Sequence, residues 1–257
     1  MAARVNYDEI AGTFDARYTP GLYDGVLAAL VDLITAKRPR SALEVGCGTG
    51  HWMSALRESV EYLCGADCSL EMLRRAAAKC PGAGLLRATA QALPFRDASV
   101  DLVFCVNAIH HFERFEEFIA EAKRLLRPGG TLVVIGMDPH HGRDQWCVYD
   151  YFPETWVADL ARYPSSGQII DAMLRVGFSG VECRVASRFR QTRWGRAVLA
   201  DPELQRNGCS QLALLSDAQY EAGISRIESA LRRAERDAPV AFKVDIAMIL
   251  ECGTVDE

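Results

Sequence analysis

The chain reads as an α/β protein built on a mostly parallel sheet with helices on both faces. Three observations predict this. Strand-like and helix-like segments alternate without a break from 41 to 137. The segment Val100–Val106 is nearly all apolar, as a strand covered on both faces must be. A glycine-rich turn, Gly46-Cys-Gly-Thr-Gly50, joins a short apolar strand to a helical stretch.

The elements follow in order. Residues 21–37 place Leu22, Val26, Ala29, Leu30, Leu33 and Ile34 at spacings of three and four, which predicts an amphipathic helix. Ser41–Val45 is a strand, and residues after Gly50 are helical to Glu58. Glu61–Ala66 is a second strand. Ser69–Lys79 is a helix with Ser69 as its cap and Glu71 in its first turn, stopped by Pro81-Gly82. Leu85–Ala88 and Val100–Val106 are the third and fourth strands. Phe115–Leu126 is a helix closed by Arg127-Pro-Gly-Gly130, and Thr131–Met137 is the fifth strand. Ile169–Val176 is a helix ended by Gly177. Val181–Ser187 and Val240–Leu250 complete a seven-stranded sheet. Two stretches break the rhythm, 138–164, rich in aromatic residues, and 188–237, polar and mostly helical. They read as lid-like, substrate-side additions to a single domain, 1–257.

Size and composition agree with one domain. The 257 residues are 49% hydrophobic and 25% charged, too apolar for disorder and long enough for a sizeable core. A net charge of −5 and a pI near 5.6 give no sign of a nucleic-acid binder or of a protein held to anionic membranes. The longest apolar run, around Leu132–Met137, is far short of the ~20 residues that span a bilayer. The N-terminus shows no secretory h-region. The nine cysteines are odd in number and scattered, with no C-x-x-C, so a reduced cytoplasmic chain without structural zinc is expected.

The chemistry gathers around the glycine loop. Its backbone can approach a ligand closely, and the helix start that follows favours an electronegative group. A dinucleotide fingerprint would need its third glycine at 51, where His51 stands, so a nicotinamide oxidoreductase is disfavoured. Asp67, at the end of the second strand, is placed to receive two ribose hydroxyls. The alternative is a helix cap beside Ser69. His110, His111, His140 and His141 are the candidate bases, because an ordinary imidazole titrates near neutrality. A metal held by Asp138, His140 and His141 is not expected, since adjacent side chains in an extended segment diverge. The aromatic residues at 146–156 suggest an apolar or aromatic small-molecule acceptor under a lid, or packing of the lid alone. Arg188, Arg190, Arg193 and Arg196 either recognise an anion or form a solvated face.

Five segments in order resemble the class I S-adenosylmethionine-dependent methyltransferases, in particular their small-molecule, ubiquinone/menaquinone-type branch. They are Glu44-Val-Gly-Cys-Gly-Thr-Gly50, Gly65-Ala-Asp-Cys-Ser-Leu-Glu-Met-Leu73, the run from Ala88 to Val103 with its Leu93-Pro-Phe95, Asn107-Ala-Ile-His-His-Phe112, and Arg124-Leu-Leu-Arg-Pro-Gly-Gly-Thr-Leu132. They span about a third of the chain. Tyr7-Asp-Glu-Ile-Ala-Gly-Thr-Phe-Asp-Ala-Arg-Tyr18, within an N-terminal segment 1–20, is similar to the branch's cofactor-covering segment.

The resemblance implies a Rossmann-like fold, S-adenosylmethionine as cofactor, and methyl transfer to a small molecule rather than to protein or nucleic acid. It also implies site residues. Gly46, Gly48 and Gly50 would line the methionine portion, Glu44 and Cys47 of the same motif would also bind the cofactor, and Arg17 would approach the methionine carboxylate. Asp67 would hold the ribose and Cys68 would lie near the adenine. Asn107 would stand at the mouth of the substrate pocket, with His110 and His111 behind it. Where the branch has Asp in a Gly-Asp-Ala triplet, this chain has Ala88-Thr89-Ala90. The Thr89 hydroxyl accepts a hydrogen bond without charge assistance, and Ala90 and Gln91 would have to compensate. That departure raises the alternative of a non-catalytic protein that only binds S-adenosylmethionine or S-adenosylhomocysteine.

Overall fold

Strand β4 (Val100–Val106) shows how the sheet divides the core. Leu102, Phe104 and Val106 face one apolar layer, while Val103 and Cys105 face the other, following the two-residue repeat of a strand. The computed structural model describes residues 5–19, 21–142, 144–234 and 239–256. Residues 1–4 and 20 of the N-terminal segment, and 235–237 of the second addition, lie outside that description.

The chain enters through a short helix α1 (Tyr7–Ile10) and a 3-10 turn, Phe14–Arg17, then α2 (Asp24–Lys37). A run of strands and helices follows: β1 (Ser41–Val45), α3 (His51–Leu56), β2 (Tyr62–Asp67), α4 (Leu70–Lys79), β3 (Gly84–Arg87), β4 (Val100–Val106), α5 (Phe115–Leu125) and β5 (Leu126–Gly136). The Ser69 hydroxyl caps α4 by accepting the Met72 N–H at 3.2 Å. Beyond β5 come β6 (Gln145–Trp146), α6 (Cys147–Tyr151), α7 (Pro153–Arg162), α8 (Ser166–Arg175), β7 (Phe178–Trp194), α9 (Ser210–Ala213), α10 (Asp217–Ala234) and β8 (Ala241–Val255).

The sheet has eight strands in the order β3-β2-β1-β4-β5-β8-β6, with β7 also paired to β8. The first five are parallel, and β8 runs antiparallel to β5, β6 and β7. Two sequence expectations need correction. The sheet gains an eighth strand, the two-residue β6, which is too short to leave a periodic signal. Residues 188–194 are not helical but continue β7, pairing residue by residue with β8, a long-range partner that a local reading of their polarity does not reveal. The remainder of that addition is helical through α9 and α10.

One layer takes α5 and α8 through Phe118, Ile119, Ala122, Ile169 and Met173. The other takes α2, α3 and both additions, with Phe242, Val244, Ile246, Met248 and Leu250 of β8 forming its floor. The chain passes from β1 to β2 and from β4 to β5 in opposite directions along the sheet, so the C-terminal ends of the neighbouring strands β1 and β4 open a crevice at the switch point. Gly46, Asp67 and Asn107 stand at those ends.

A buried acid lies apart from this crevice. Glu251 of β8 accepts the Ser166 hydroxyl at 2.5 Å, and burial pushes its carboxyl up to about 7. A carboxyl raised in the folded state stabilises below its unfolded value, near 4.5, and loses that contribution as pH rises through about 7. Wild-type protein is therefore expected to lose up to about 3 kcal/mol between pH 4.5 and 7.5 relative to Glu251→Gln. Denaturant midpoints of both proteins across that range check this, and parallel pH profiles would refute it.

Candidate active site

The crevice opens into a cavity of about 300 Å³. One end is built by the glycine loop and β2. Gly46 has φ +74°, and a Cβ there would lie 2.5 Å from the Ala108 methyl group, so both conformation and space demand glycine. The Gly48 N–H donates to one Asp67 carboxylate oxygen at 2.9 Å, and the Ser69 N–H donates to the other at 2.8 Å. Burial raises the Asp67 carboxyl above its ordinary range, while these backbone donors pull it back. Each oxygen keeps lone-pair capacity for a further donor. Asp67 thus serves as loop anchor and as cavity wall together.

Glu44 is more deeply enclosed. It is 1% exposed, and its Oε2 has no hydrogen-bond partner. Burial raises its carboxyl well above the ordinary range, so the site has a place for a cationic or N–H donor at that atom.

The N-terminal segment closes this end from above. Asp8 accepts the Ser69 hydroxyl at 2.5 Å and the Glu71 N–H at 3.1 Å. Asp15 accepts the Thr49 hydroxyl at 2.5 Å and the Lys79 ammonium at 2.8 Å. Tyr7 meets His111 Nε2 at 2.5 Å. Arg17 lies over the Phe14 ring at 3.7 Å and makes no ion pair among the described residues. Its charge is open to an anion.

The other end is aromatic, lined by Tyr18, Tyr23, Trp52, Trp146, Tyr163 and Phe189. Tyr23 packs edge-on against Phe189 at 4.5 Å, and His110 stacks on Tyr163 at 3.9 Å. A buried polar network holds this wall. Asp159, fully enclosed, accepts from Tyr149, Gln211 and Arg162 at 2.8, 2.9 and 2.6 Å. Gln211 also donates to the Tyr163 hydroxyl at 3.2 Å.

Of the residues singled out from sequence, Arg17, Glu44, Gly46, Cys47, Gly48, Asp67, Cys68, Thr89, Ala90, Gln91, Asn107, His110 and His111 all border the one cavity. Gly50 does not. It caps α3 and packs on Ala76 of α4, where a Cβ would lie 3.1 Å from the Ala76 methyl. The two histidines also differ from expectation. Burial holds His111 down to about 3 and His110 well below its ordinary value, so both are neutral and weakly basic. His140 is engaged by the Tyr163 carbonyl at 2.9 Å, and Asp138 accepts the His140 and Ser166 N–H groups. Among the described residues no cluster of three or more His, Cys, Asp or Glu has metal-binding geometry.

The aromatic residues of the first addition divide. Trp146 borders the cavity, whereas Tyr149 and Phe152 are buried in the core. The arginine run divides too. Arg188 and Arg190 pair with Asp245 at 2.8 and 3.3 Å, and Arg193 pairs with Asp201 and Glu203. Local sequence gave no sign that Tyr23, Trp52, Glu203, Cys209 or Gln211 would reach the site. Ile246 and Met248 carried a faint one, the alternation along β8.

Comparison with known proteins fits this geometry. A family model described as a methyltransferase domain matches residues 43–134, from β1 to β5, the part that supplies the loop, Asp67 and Asn107. Residues 43–134 are thus similar to a methyltransferase domain. Malonyl-[acyl-carrier protein] O-methyltransferase of Hahella chejuensis is 34% identical over 70% of this chain and 64% of its own length. Demethylmenaquinone methyltransferase of Thermus thermophilus is 36% identical over 42% of this chain and 52% of its own. The chain spans about half the length of the curated relatives it matches. A structure from Anabaena variabilis, named as a methyltransferase from an antibiotic biosynthesis pathway, superposes with a TM-score of 0.67 at 25% identity. It covers 88% of this chain and 96% of its own. Phosphoethanolamine N-methyltransferase 2 of Haemonchus contortus, solved with S-adenosylhomocysteine, shares the fold, with a TM-score of 0.63 at 19% identity over 97% of this chain and 58% of its own. The methyltransferase domain places its loop and Asp67 in the first half of the sheet. The aromatic wall comes mostly from segments on either side of the matched region. Among the described residues no helix is long and apolar enough to cross a membrane.

Proposed function

We propose that this protein transfers the methyl group of S-adenosylmethionine to a small-molecule acceptor with an apolar or aromatic body. The observation that carries this reading is a single cavity lined both by the glycine loop with Glu44 and Asp67 and by the rings of Tyr18, Tyr23, Trp52, Trp146, Tyr163 and Phe189. The polar end suits the cofactor. Asp67 receives the two ribose hydroxyls on its remaining lone pairs, and the unpartnered Glu44 Oε2 faces the methionine ammonium. Arg17 takes the carboxylate, Gly46, Cys47 and Gly48 admit the methionine chain, and Cys68, Thr89, Ala90 and Gln91 flank the adenine. Asn107 stands where the two ends meet.

When bound, the cofactor supplies an electrophilic methyl group. The chain's own residues have three tasks: to bind it, to align the acceptor for direct displacement, and to exclude water. The weakly basic His110 and His111 suit hydrogen bonding and packing of the acceptor better than proton removal.

Calorimetric titration with S-adenosylmethionine, S-adenosylhomocysteine and NADH tests the reading. Micromolar binding of the first two and none of the third is expected, followed by methyl transfer to an aromatic acceptor. Absence of binding by both sulfur compounds overturns it. Thr89 borders the cavity. Thr89→Asp, which adds a charged acceptor for the adenine amino group, is expected to tighten S-adenosylhomocysteine binding about five- to tenfold. Unchanged or weaker binding in the same titration would remove Thr89 from the adenine site.

A further inference from the structure

The aromatic end of the cavity is not electrically neutral. Glu203, on the 3-10 turn Pro202–Leu204, borders it beside Gly208, Cys209 and Gln211. Its carboxylate lies 3.4 Å from Arg193, and the same guanidinium is in closer contact with Asp201. Among the ion pairs of the described residues, this guanidinium serves two carboxylates. These three side chains are 13%, 8% and 19% exposed for Arg193, Asp201 and Glu203, so water does little to spread the surplus negative charge. The charge is felt at the cavity wall. Burial raises the Tyr23 hydroxyl, Glu203 raises it further, and Arg17 lowers it.

Beyond Arg193, this carboxylate shares its part of the cavity with ring faces and with Arg17, which also acts on Tyr23, in the opposite sense to Glu203. Tyr23 lies 4.5 Å from Phe189, 5.2 Å from Tyr18 and 5.9 Å from Trp52. Among the described residues lining the cavity, Arg17 is the one Lys or Arg, and the cofactor carboxylate occupies it under the reading above. Aromatic faces and a carboxylate that shares its counterion with a second carboxylate attract a cation and repel carboxylate or phosphate.

We propose that the acceptor is an amine on an aromatic or apolar body, its nitrogen held at the Glu203 carboxylate and its body against Tyr23, Phe189 and Trp52. The inference rests on the methyl-transfer reading. Glu203 holds the ammonium form on binding, and the ammonium ion gives one proton to water before it reacts. Its freed lone pair then forms the new N–C bond as the C–S bond breaks, with that electron pair passing to sulfur. The products are the N-methylammonium ion and S-adenosylhomocysteine.

The test is calorimetry on protein saturated with S-adenosylhomocysteine, using 2-phenylethylamine, 2-phenylethanol and 3-phenylpropanoate as matched probes. The amine is expected to bind about 10- to 100-fold more tightly than the alcohol, and the carboxylate not at all. Glu203→Gln keeps the shape and removes the charge. It is expected to weaken amine binding about tenfold while leaving alcohol and S-adenosylhomocysteine affinities unchanged. Equal binding of amine and alcohol, binding of the carboxylate, no amine binding, or amine binding indifferent to Glu203→Gln each overturns the amine assignment. The wild-type probe series decides between amine and neutral acceptor even if the variant fails to fold. Failure of S-adenosylhomocysteine itself to bind is a separate result, which defeats the methyl-transfer reading and this inference with it.

Discussion

Asp67→Ala is expected to weaken S-adenosylhomocysteine binding by at least about 100-fold. The side chain makes contacts of two kinds. Toward the protein, its two oxygens accept the Gly48 and Ser69 N–H groups at 2.9 and 2.8 Å, which fixes the glycine loop against β2. Toward the ligand, the same oxygens are the proposed acceptors for both ribose hydroxyls. Hydrogen bonds to a charged group contribute about 1.5–3 kcal/mol each, so losing two costs about 3–6 kcal/mol before the loop relaxes. Asp67→Asn keeps the shape and one acceptor oxygen, and a loss of about tenfold is expected for it. Titration calorimetry on all three proteins, with melting curves to show that they are folded, decides the matter. Binding by Asp67→Ala within about threefold of wild type would exclude the ribose role.

The largest stability effect is expected at Asp159→Ala. This carboxylate is fully enclosed and satisfies Tyr149, Gln211 and Arg162 together. Arg162, whose side chain is 14% exposed, pairs with it at 2.6 Å. Removing one partner of a buried pair leaves the other charge without compensation, at a cost of about 3–5 kcal/mol. In a domain of this size that lowers the melting temperature by roughly 6–20 °C. Asp159→Asn keeps the packing and is expected to lose less. The effect extends to the cavity, because Gln211 holds the Tyr163 hydroxyl and Tyr163 stacks on His110. A melting temperature within about 2 °C of wild type would show that the network is not a clamp.

Residues 41–137 were legible because each element there carries its own signal. An apolar strand has period two or none, a helix has period 3.6, and a glycine turn must sit between them. Asp67 was identifiable from its place at the end of the strand that follows the glycine loop and its helix. Gly50 was misplaced for a related reason. It belongs to the same loop as Gly46 and Gly48, but φ +75° at the start of α3 turns it toward Ala76 rather than the cavity, and a string of glycines does not say which one faces the ligand.

The histidines show a different dependence. Their residue type predicts an imidazole that titrates near neutrality. The enclosure formed by Tyr7, Tyr163 and each other makes them weak bases, and enclosure is a property of the whole fold.

The sequence by itself therefore determined the parallel α/β core, the glycine loop and the acid opposite it, since these depend on residues close together in the chain. Tertiary structure alone decided the aromatic wall of the cavity. Tyr23 and Trp52 come from the N-terminal half, Trp146 from β6, Phe189 from β7, Glu203 and Gln211 from the second addition, and Met248 from β8. Gly223 of α10 shows the same dependence. A Cβ there would lie 2.0 Å from the Phe152 ring, so the second addition seats on the first through a contact that no local pattern records. Burial and convergence are sums over distant segments, and a periodic signal reports only the face that each segment turns inward.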